Sequence, residues 1–197
     1  AAHEAIVLKA EMEDGSVVVG ESRIPKAEGR IRRVRIEPPD ASPLPEAIAA
    51  IRQADAIIIG PGSLFTSIMP NLLVPDIARA LRSSEALILF VCNIMTQPGE
   101  TDGYNVSDHL RAIAEHLGEQ IFDAVIVHDG EIPADVLERY AEQGAGVVEV
   151  DRDAIEAMGC RVLSDKLVKY GRYLRHDTEK LSERIYRLIM QWKAESR

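Results

Sequence analysis

Ala54-Asp55-Ala56-Ile57-Ile58-Ile59-Gly60-Pro61-Gly62-Ser63-Leu64-Phe65-Thr66-Ser67-Ile68-Met69-Pro70-Asn71 decides the fold. An apolar run ends in a Gly-Pro-Gly turn, and a cluster of hydroxyls follows. A buried strand that stops at small, hydroxylated residues before a helix is how α/β proteins present backbone N–H groups to a phosphate. The stretch therefore predicts a site at the C-terminal edge of a parallel sheet, for an anionic or nucleotide-like ligand. Gly60 and Gly62 permit a ligand to come close to the backbone. Ser63, Thr66 and Ser67 can donate to phosphate oxygens, and Asn71 offers an amide. A plain strand-to-helix turn with capping hydroxyls uses the same residue types.

Outward from this stretch the pattern alternates. Pro75–Ser83 reads as a helix, with Ile77 and Leu81 four apart. Ala86–Cys92 is an apolar run without polar interruption, as expected of a strand covered on both faces. Ser107–Leu117 is a helix with Leu110, Ile113 and Leu117 on one side. Ala124–Val127 reads as a strand, Pro133–Gln143 as a helix and Val147–Val150 as a further strand. In a last helix, His176–Trp192, a stripe is formed by Leu181, Ile185, Leu188, Ile189 and Trp192.

The start of the chain differs. Ile6, Leu8, Ala10 and Met12 alternate with polar or outward residues, Asp14-Gly15 turns the chain, and Val17-Val18-Val19 follows; this is a β-hairpin. Ile31–Ile36 is another strand, and prolines 38, 39, 43 and 45 lead into a helix over Glu46–Gln53. The fold class is therefore α/β: a Rossmann-like, doubly wound, mainly parallel sheet with helices on both faces and an N-terminal β-hairpin region. Residues 1–197 are expected to form a single domain, a length sufficient for a proper core. Neither G-x-G-x-x-G nor G-x-x-x-x-G-K-[ST] occurs, so the fold is atypical or the chain is the second part of a longer protein.

Composition narrows the partners. Apolar residues make up 46% and charged residues 28%, which is globular, and no apolar run approaches membrane-spanning length. A net charge of −9 disfavours nucleic acid and anionic membrane. Lys26, Arg30, Arg32, Arg33 and Arg35 are a local exception; they read as a solvated strand face, or as an anion-steering rim or protein contact. Cys92 and Cys160 lack metal spacing and fit reduced, buried thiols in the cytoplasm. His109 and His116 lie seven apart on one helix without acidic or thiol partners at ligand spacing, so no zinc site is expected.

Two further stretches carry polar chemistry. Cys92-Asn93-Ile94-Met95-Thr96-Gln97-Pro98-Gly99-Glu100-Thr101-Asp102-Gly103-Tyr104 also follows a buried strand, and adjacent strands would bring its start near Gly60–Ser67. Asn93, Thr96 and Gln97 suit the polar edges of a base or sugar. Glu100 and Asp102 are candidates for metal binding or acid–base work, or belong to an ordinary polar loop. In Arg172-Tyr173-Leu174-Arg175-His176-Asp177, Asp177 is a reasonable N-cap. His176 invites an acid–base role or is a cap-neighbour histidine. Arg175 can pair bidentately with a phosphate, or make a surface salt bridge.

The run from Ala54 to Asp108, with both loop motifs, resembles the YvcK proteins, also called gluconeogenesis factors, of the CofD-like superfamily. Glu21-Ser22-Arg23-Ile24-Pro25 and Arg175-His176-Asp177-Thr178-Glu179-Lys180-Leu181 match as well, so the resemblance covers essentially the whole chain. It implies a cytoplasmic bacterial protein that binds UDP-sugars, notably UDP-N-acetylglucosamine, and influences cell shape and wall synthesis on gluconeogenic carbon sources. It places two of the family's UDP-sugar contacts on Arg175 and Tyr140. The family's N-terminal Gly-Gly-Gly-Thr-Gly turn is missing, which implies roughly the C-terminal three-fifths of a family member.

Two functions follow as expectations. The first is a regulatory UDP-sugar-binding protein without turnover, its diphosphate near Gly62, Ser63, Thr66 and Ser67, with magnesium as a candidate companion and no other cofactor. The second is a CofD-type transferase passing a 2-phospho-L-lactyl group to a deazaflavin in coenzyme F420 synthesis, with Glu100 or Asp102 as metal ligands. The expected partners are a nucleotide sugar and, through the basic strand or the Trp192 helix, a regulatory protein or a second copy of the chain.

Overall fold

The computed structural model describes residues 5–171 and 174–195; Arg172 and Tyr173 of the motif quoted above lie outside the described residues. The chain opens with β1 (Val7–Met12), β2 (Val17–Val19) and β3 (Ile31–Glu37). They form a three-stranded antiparallel sheet in the order β2-β1-β3. Alternation turns Leu8, Ala10, Met12, Val34 and Ile36 inward, all buried. The other face carries Lys9 opposite Arg35 and Glu11 opposite Arg33. Arg32 reaches Glu11 at 3.0 Å and Lys9 pairs with Glu37. The arginine-rich segment is thus the solvated face of a half-buried strand.

The proline connector delivers the chain into α1 (Pro45–Gln53), β4 (Ala56–Ile59), α2 (Met69–Leu72), α3 (Pro75–Arg82) and β5 (Leu87–Val91). Then come α4 (Val106–Leu117), β6 (Ala124–His128), α5 (Ala134–Ala141), α6 (Arg152–Ala157), β7 (Arg161–Asp165), β8 (Val168–Lys169), β9 (Arg175–His176) and α7 (Thr178–Glu195). Strands β4, β5, β6 and β7 pair in that order, all parallel.

The uninterrupted apolar runs of β5 and β6 have the cause anticipated from them. Leu87, Leu89, Val91, Ala124 and Ile126 face α7, against Leu181, Ile185, Leu188, Ile189 and Trp192. Ile88, Phe90, Val125 and Val127 face the other way, against residues of α3, α4, α6 and the antiparallel sheet. Each large side chain buried here is worth roughly 1.5–3 kcal/mol. That burial on both faces, rather than local propensity, holds the central strands in place. Trp192 belongs to this packing as a partly buried side chain, with Arg161 5.7 Å above its ring. Cys92 and Cys160 are buried and unbridged, and burial pushes the Cys160 thiol up to about 12.

Two expectations need correction. Val147–Val150 is not a strand of the parallel sheet. It lies against the loop after β5, with a single antiparallel bridge from Val147 to Met95 and a Val148 N–H donated to the Ile94 carbonyl at 2.9 Å. Gly144 and Gly146 interrupt the approach to it, and Val147 is 42% exposed. The fourth strand is β7, whose Val162 and Leu163 are only partly buried at the sheet edge and so left a weak signal. The last helix begins at Thr178; His176 lies in β9, opposite Val168 of β8. Asp177 does cap the helix, accepting the Lys180 N–H at 3.3 Å, and it also meets Lys169 at 3.3 Å.

The antiparallel sheet is tied to the α/β part through a histidine. His116 of α4 accepts the Val34 N–H at its Nε2, 3.0 Å away. Its Nδ1 therefore carries the proton and donates to the Ala112 carbonyl at 2.6 Å. Among the described residues no helix is long and apolar enough to cross a membrane.

Candidate functional site

Because β4 and β5 are parallel neighbours, with Ile59 opposite Phe90, the loops that follow them leave the sheet at the same edge. Gly60 stands at the exit of β4 with φ +85°, and a Cβ there would lie 2.6 Å from the Val91 carbonyl oxygen. Only glycine lets the first loop lean onto β5 in this way. Gly99, φ +79°, does the same for the second loop, where a Cβ would lie 2.3 Å from the Pro25 carbonyl oxygen. After the Gly-Pro-Gly turn the chain makes a π-type turn over Leu64–Ile68, with Ile68 N–H donated to the Ser63 carbonyl at 2.9 Å. Such turns often occur at functional sites.

The two loops are joined by side chains. The Gly62 N–H donates to Asn93 Oδ1 at 3.2 Å, and Asn93 Nδ2 donates to the Gly62 carbonyl at 2.9 Å. A backbone donor and a backbone acceptor on one residue leave the carboxamide a single orientation. That polarity propagates: Asn93 Nδ2 also donates to Gln97 Oε1 at 3.3 Å, so Gln97 Nε2 must face the other way, and it donates to Ser63 Oγ at 2.8 Å. Deeper down, Glu100 is buried. Its Oε2 accepts the Phe65 N–H at 3.1 Å and its Oε1 accepts the Thr66 hydroxyl at 2.7 Å. Asp102 accepts the Gly99 N–H at 2.8 Å.

Above this clamp is an open cavity of about 490 Å³, within the size range of small-ligand sites of roughly 300–1,000 Å³. Gly62, Ser63, Ser67, Asn93, Thr96 and Gln97 form its polar side; Ile94, Met95, Tyr140, Leu174 and His176 complete it. The Tyr140 hydroxyl accepts the Leu174 N–H at 3.0 Å, which fixes the ring against the apolar wall. Burial holds the pKa of His176 below the ordinary histidine value, against the opposing pull of the nearby Cys92 backbone and with help from the neighbouring His128.

Seven of the residues singled out in the sequence thus meet in one cavity: Gly62, Ser63, Ser67, Asn93, Thr96, Gln97 and Tyr140. Gly62 has room for a Cβ, its nearest neighbour being Ser67 at 3.7 Å, so its glycine is not demanded by space. Four others lie elsewhere. Gly60 sits beneath, against β5. The Thr66 hydroxyl is turned down to Glu100. Asn71 is exposed and donates to the Ser67 carbonyl at 2.8 Å. Arg175 is exposed beside His176, pointing to the other side of β9. The apolar wall of Ile94, Met95 and Leu174, and the place of His176 in it, were not anticipated. The alternation Leu174-Arg175-His176 was the available signal, since one face of a strand takes every second residue.

Among the described residues no three of His, Cys, Asp or Glu converge, and both oxygens of Glu100 are engaged.

Comparison with known proteins extends this geometry. The profile of the family described as 2-phospho-L-lactate transferase CofD matches residues 1–168. The chain is 49% identical over 186 residues to the gluconeogenesis factor of Halalkalibacterium halodurans, covering 94% of this chain and 58% of that one. To the gluconeogenesis factor of Bacillus subtilis it is 45% identical over 192 residues, 97% of this chain and 61% of the other. A crystal structure of protein BH3568 from Bacillus halodurans matches with a TM-score of 0.92 at 49% identity, over 94% of this chain and 60% of that one. A second structure of BH3568, described as a member of the UPF0052 family, matches with a TM-score of 0.90. The chain spans about three-fifths of the length of these relatives.

Proposed function

The chain belongs to the CofD family, and from that premise we propose that it is the ligand-holding part of a cytoplasmic regulatory protein that binds a UDP-sugar, UDP-N-acetylglucosamine first among them. The observation that carries this reading is the cavity at the ends of β4 and β5. It joins hydroxyl and amide groups on one side to an aromatic and aliphatic wall on the other, the combination a nucleotide sugar needs. The names of the relatives support the regulatory branch, and through it a role in cell shape and wall synthesis on gluconeogenic carbon sources. A protein that binds without turnover acts through a binding equilibrium, so its output requires a protein partner or a second copy.

The transferase reading has the family description in its favour. Against it stand Glu100 and Asp102. Glu100 holds the two loops together through Phe65 and Thr66, and Asp102 braces its own loop through the Gly99 N–H.

Titration calorimetry of the full-length protein with UDP-N-acetylglucosamine tests the first reading. Saturable binding is expected, from a ligand held in the cavity beyond β4 and β5. Absence of binding heat from the folded protein would remove the proposal. Incubation with a lactyl-phosphoguanosine donor and the deazaflavin acceptor, followed by mass spectrometry, tests the second; product formation would establish turnover.

A further inference from the structure

We propose that the chain carries a second small-molecule site, beyond the ends of β6 and β7, that takes a sugar monophosphate. The phosphate lies between Lys166 and Lys180, and the sugar hydroxyls meet Asp129 and Glu131. The site is independent of the nucleotide-sugar reading, because its cavities share no lining residue with the one beyond β4 and β5.

Strands β6 and β7 are parallel neighbours, with His128 opposite Asp165 at their ends. The loops that follow them leave the sheet at the same edge as those after β4 and β5, the edge where α/β sheets bind ligands. Two cavities lie there, of about 750 Å³ and about 320 Å³. Lys166, just after β7, and Lys180, in the first turn of α7, line both and so join them. The walls are braced from within. The Asp129 N–H donates to the Asp165 carbonyl at 2.9 Å, the Leu167 N–H to His128 Nδ1 at 3.1 Å and the Tyr170 hydroxyl to the Glu131 carbonyl at 2.6 Å.

Charge decides what the smaller cavity takes. Its wall carries Lys166, Lys180, Arg184 and Arg187 against Asp165 and Glu183, on a chain whose net charge is −9. Arg187 pairs with Glu183 along α7, and Arg184 stands 3.9 Å from Asp165. Lys166 and Lys180 are the surplus: among the described residues neither makes an ion pair. A second observation points the same way. Arg184 Nε is buried without a hydrogen-bond acceptor, and Asp165 at 3.9 Å is too far to serve as one. Buried donors are seldom left so. A phosphate brings acceptor oxygens and negative charge together.

The larger cavity has a different character. Asp129 and Glu131 line it, and among the described residues neither makes an ion pair. Tyr170, 52% exposed, adds an aromatic ring. Carboxylates would repel a bare inorganic anion, so the anion has to enter attached to a neutral body rich in hydroxyl groups, which carboxylates accept from. An aromatic ring suits the C–H face of such a body. A sugar monophosphate has both ends.

The test is calorimetry on the full-length protein at fixed ionic strength, with glucose 1-phosphate, glucose 6-phosphate and fructose 6-phosphate as probes beside glucose and inorganic phosphate. At least one sugar phosphate should bind saturably, and more tightly than glucose or phosphate alone. Replacing both lysines, Lys166→Gln with Lys180→Gln, should weaken it by at least about tenfold. Both side chains are exposed, so the variant should unfold at the wild-type temperature. Lys26→Gln with Arg35→Gln removes the same charge on the N-terminal side and should leave binding unchanged. Saturating UDP-N-acetylglucosamine should not displace the sugar phosphate. The proposal is overturned if none of the three binds the folded protein, or if inorganic phosphate binds as tightly as they do. Unchanged affinity in the lysine variant, an equal loss in the Lys26 and Arg35 variant, or displacement by UDP-N-acetylglucosamine would overturn it too. Failure of UDP-N-acetylglucosamine itself to bind would overturn the nucleotide-sugar reading and leave this site standing.

Discussion

Ser63 and Thr66 are three residues apart in one loop, and both are hydroxylated, yet they belong to different regions of the molecule. Thr66 and the neighbouring Phe65 N–H are drawn down onto the Glu100 carboxylate and form a buried clamp between the loops. Ser63 accepts from Gln97 and keeps its proton for the cavity above. The clamp is internally satisfied, while the cavity wall is left with hydrogen bonds to give. A hydroxyl in a loop thus becomes a ligand contact only after its partners within the chain have been counted.

The contrast can be broken by substitution, and the clamp should give the largest effect. Glu100→Leu leaves a buried N–H and a half-buried hydroxyl without acceptors, and should lower unfolding free energy by about 2–4 kcal/mol in urea titrations. A change within about 0.5 kcal/mol of wild type would mean that Glu100 is not holding the loops. Asn93→Asp comes next. It replaces a donor with an oxygen facing the Gly62 carbonyl and Gln97 Oε1, and should destabilise by about 1–3 kcal/mol. Asn93→Asp should also scramble the polarity that reaches Ser63, so ligand affinity should fall with it.

Substitutions in the cavity wall should separate binding from stability. Tyr140→Phe removes the acceptor of the Leu174 N–H and one donor to the ligand. It should lower UDP-N-acetylglucosamine affinity by about tenfold while changing stability by about 1 kcal/mol or less. Loss of stability without loss of affinity would move Tyr140 into the structural region.

The smallest expected effect lies at the joint between the two sheets. Burial, helped by the Arg33 charge, holds His116 below the ordinary histidine value of 6.5 against the pull of the Ala112 carbonyl, and its neutral ring accepts from Val34. The unfolded chain therefore binds this proton more readily than the folded one. Stability from this group is complete above the unfolded pKa and declines as pH falls through it toward the lower folded value. His109, lowered mainly by burial, contributes in the same direction. Urea titrations between about pH 7.5 and about pH 5 should show the decline, with a shallower slope in His116→Gln.

The parallel sheet was legible because two-sided burial leaves an unmistakable trace: β5 has no polar residue at all. The meeting of the two loops was legible for the same reason, since neighbouring parallel strands end at one edge. An edge strand such as β7 leaves a weaker trace, because partial burial tolerates Arg161, Ser164 and Asp165 beside Val162 and Leu163. Val147–Val150 misled through residue type alone, since β-branched residues also suit a short pairing with a loop. The division of labour among polar loop residues was not legible. Thr66 and Ser63 differ in what lies opposite them, 34 positions away in the sequence, and local composition has no record of that.

A crystal of the full-length protein soaked with UDP-N-acetylglucosamine tests the central claim most directly. Ligand density is expected in the cavity against Ser63, Tyr140 and His176, with the Thr66 hydroxyl still on Glu100. Density away from this cavity, or a phosphate seated at Thr66 with Glu100 displaced, would contradict it.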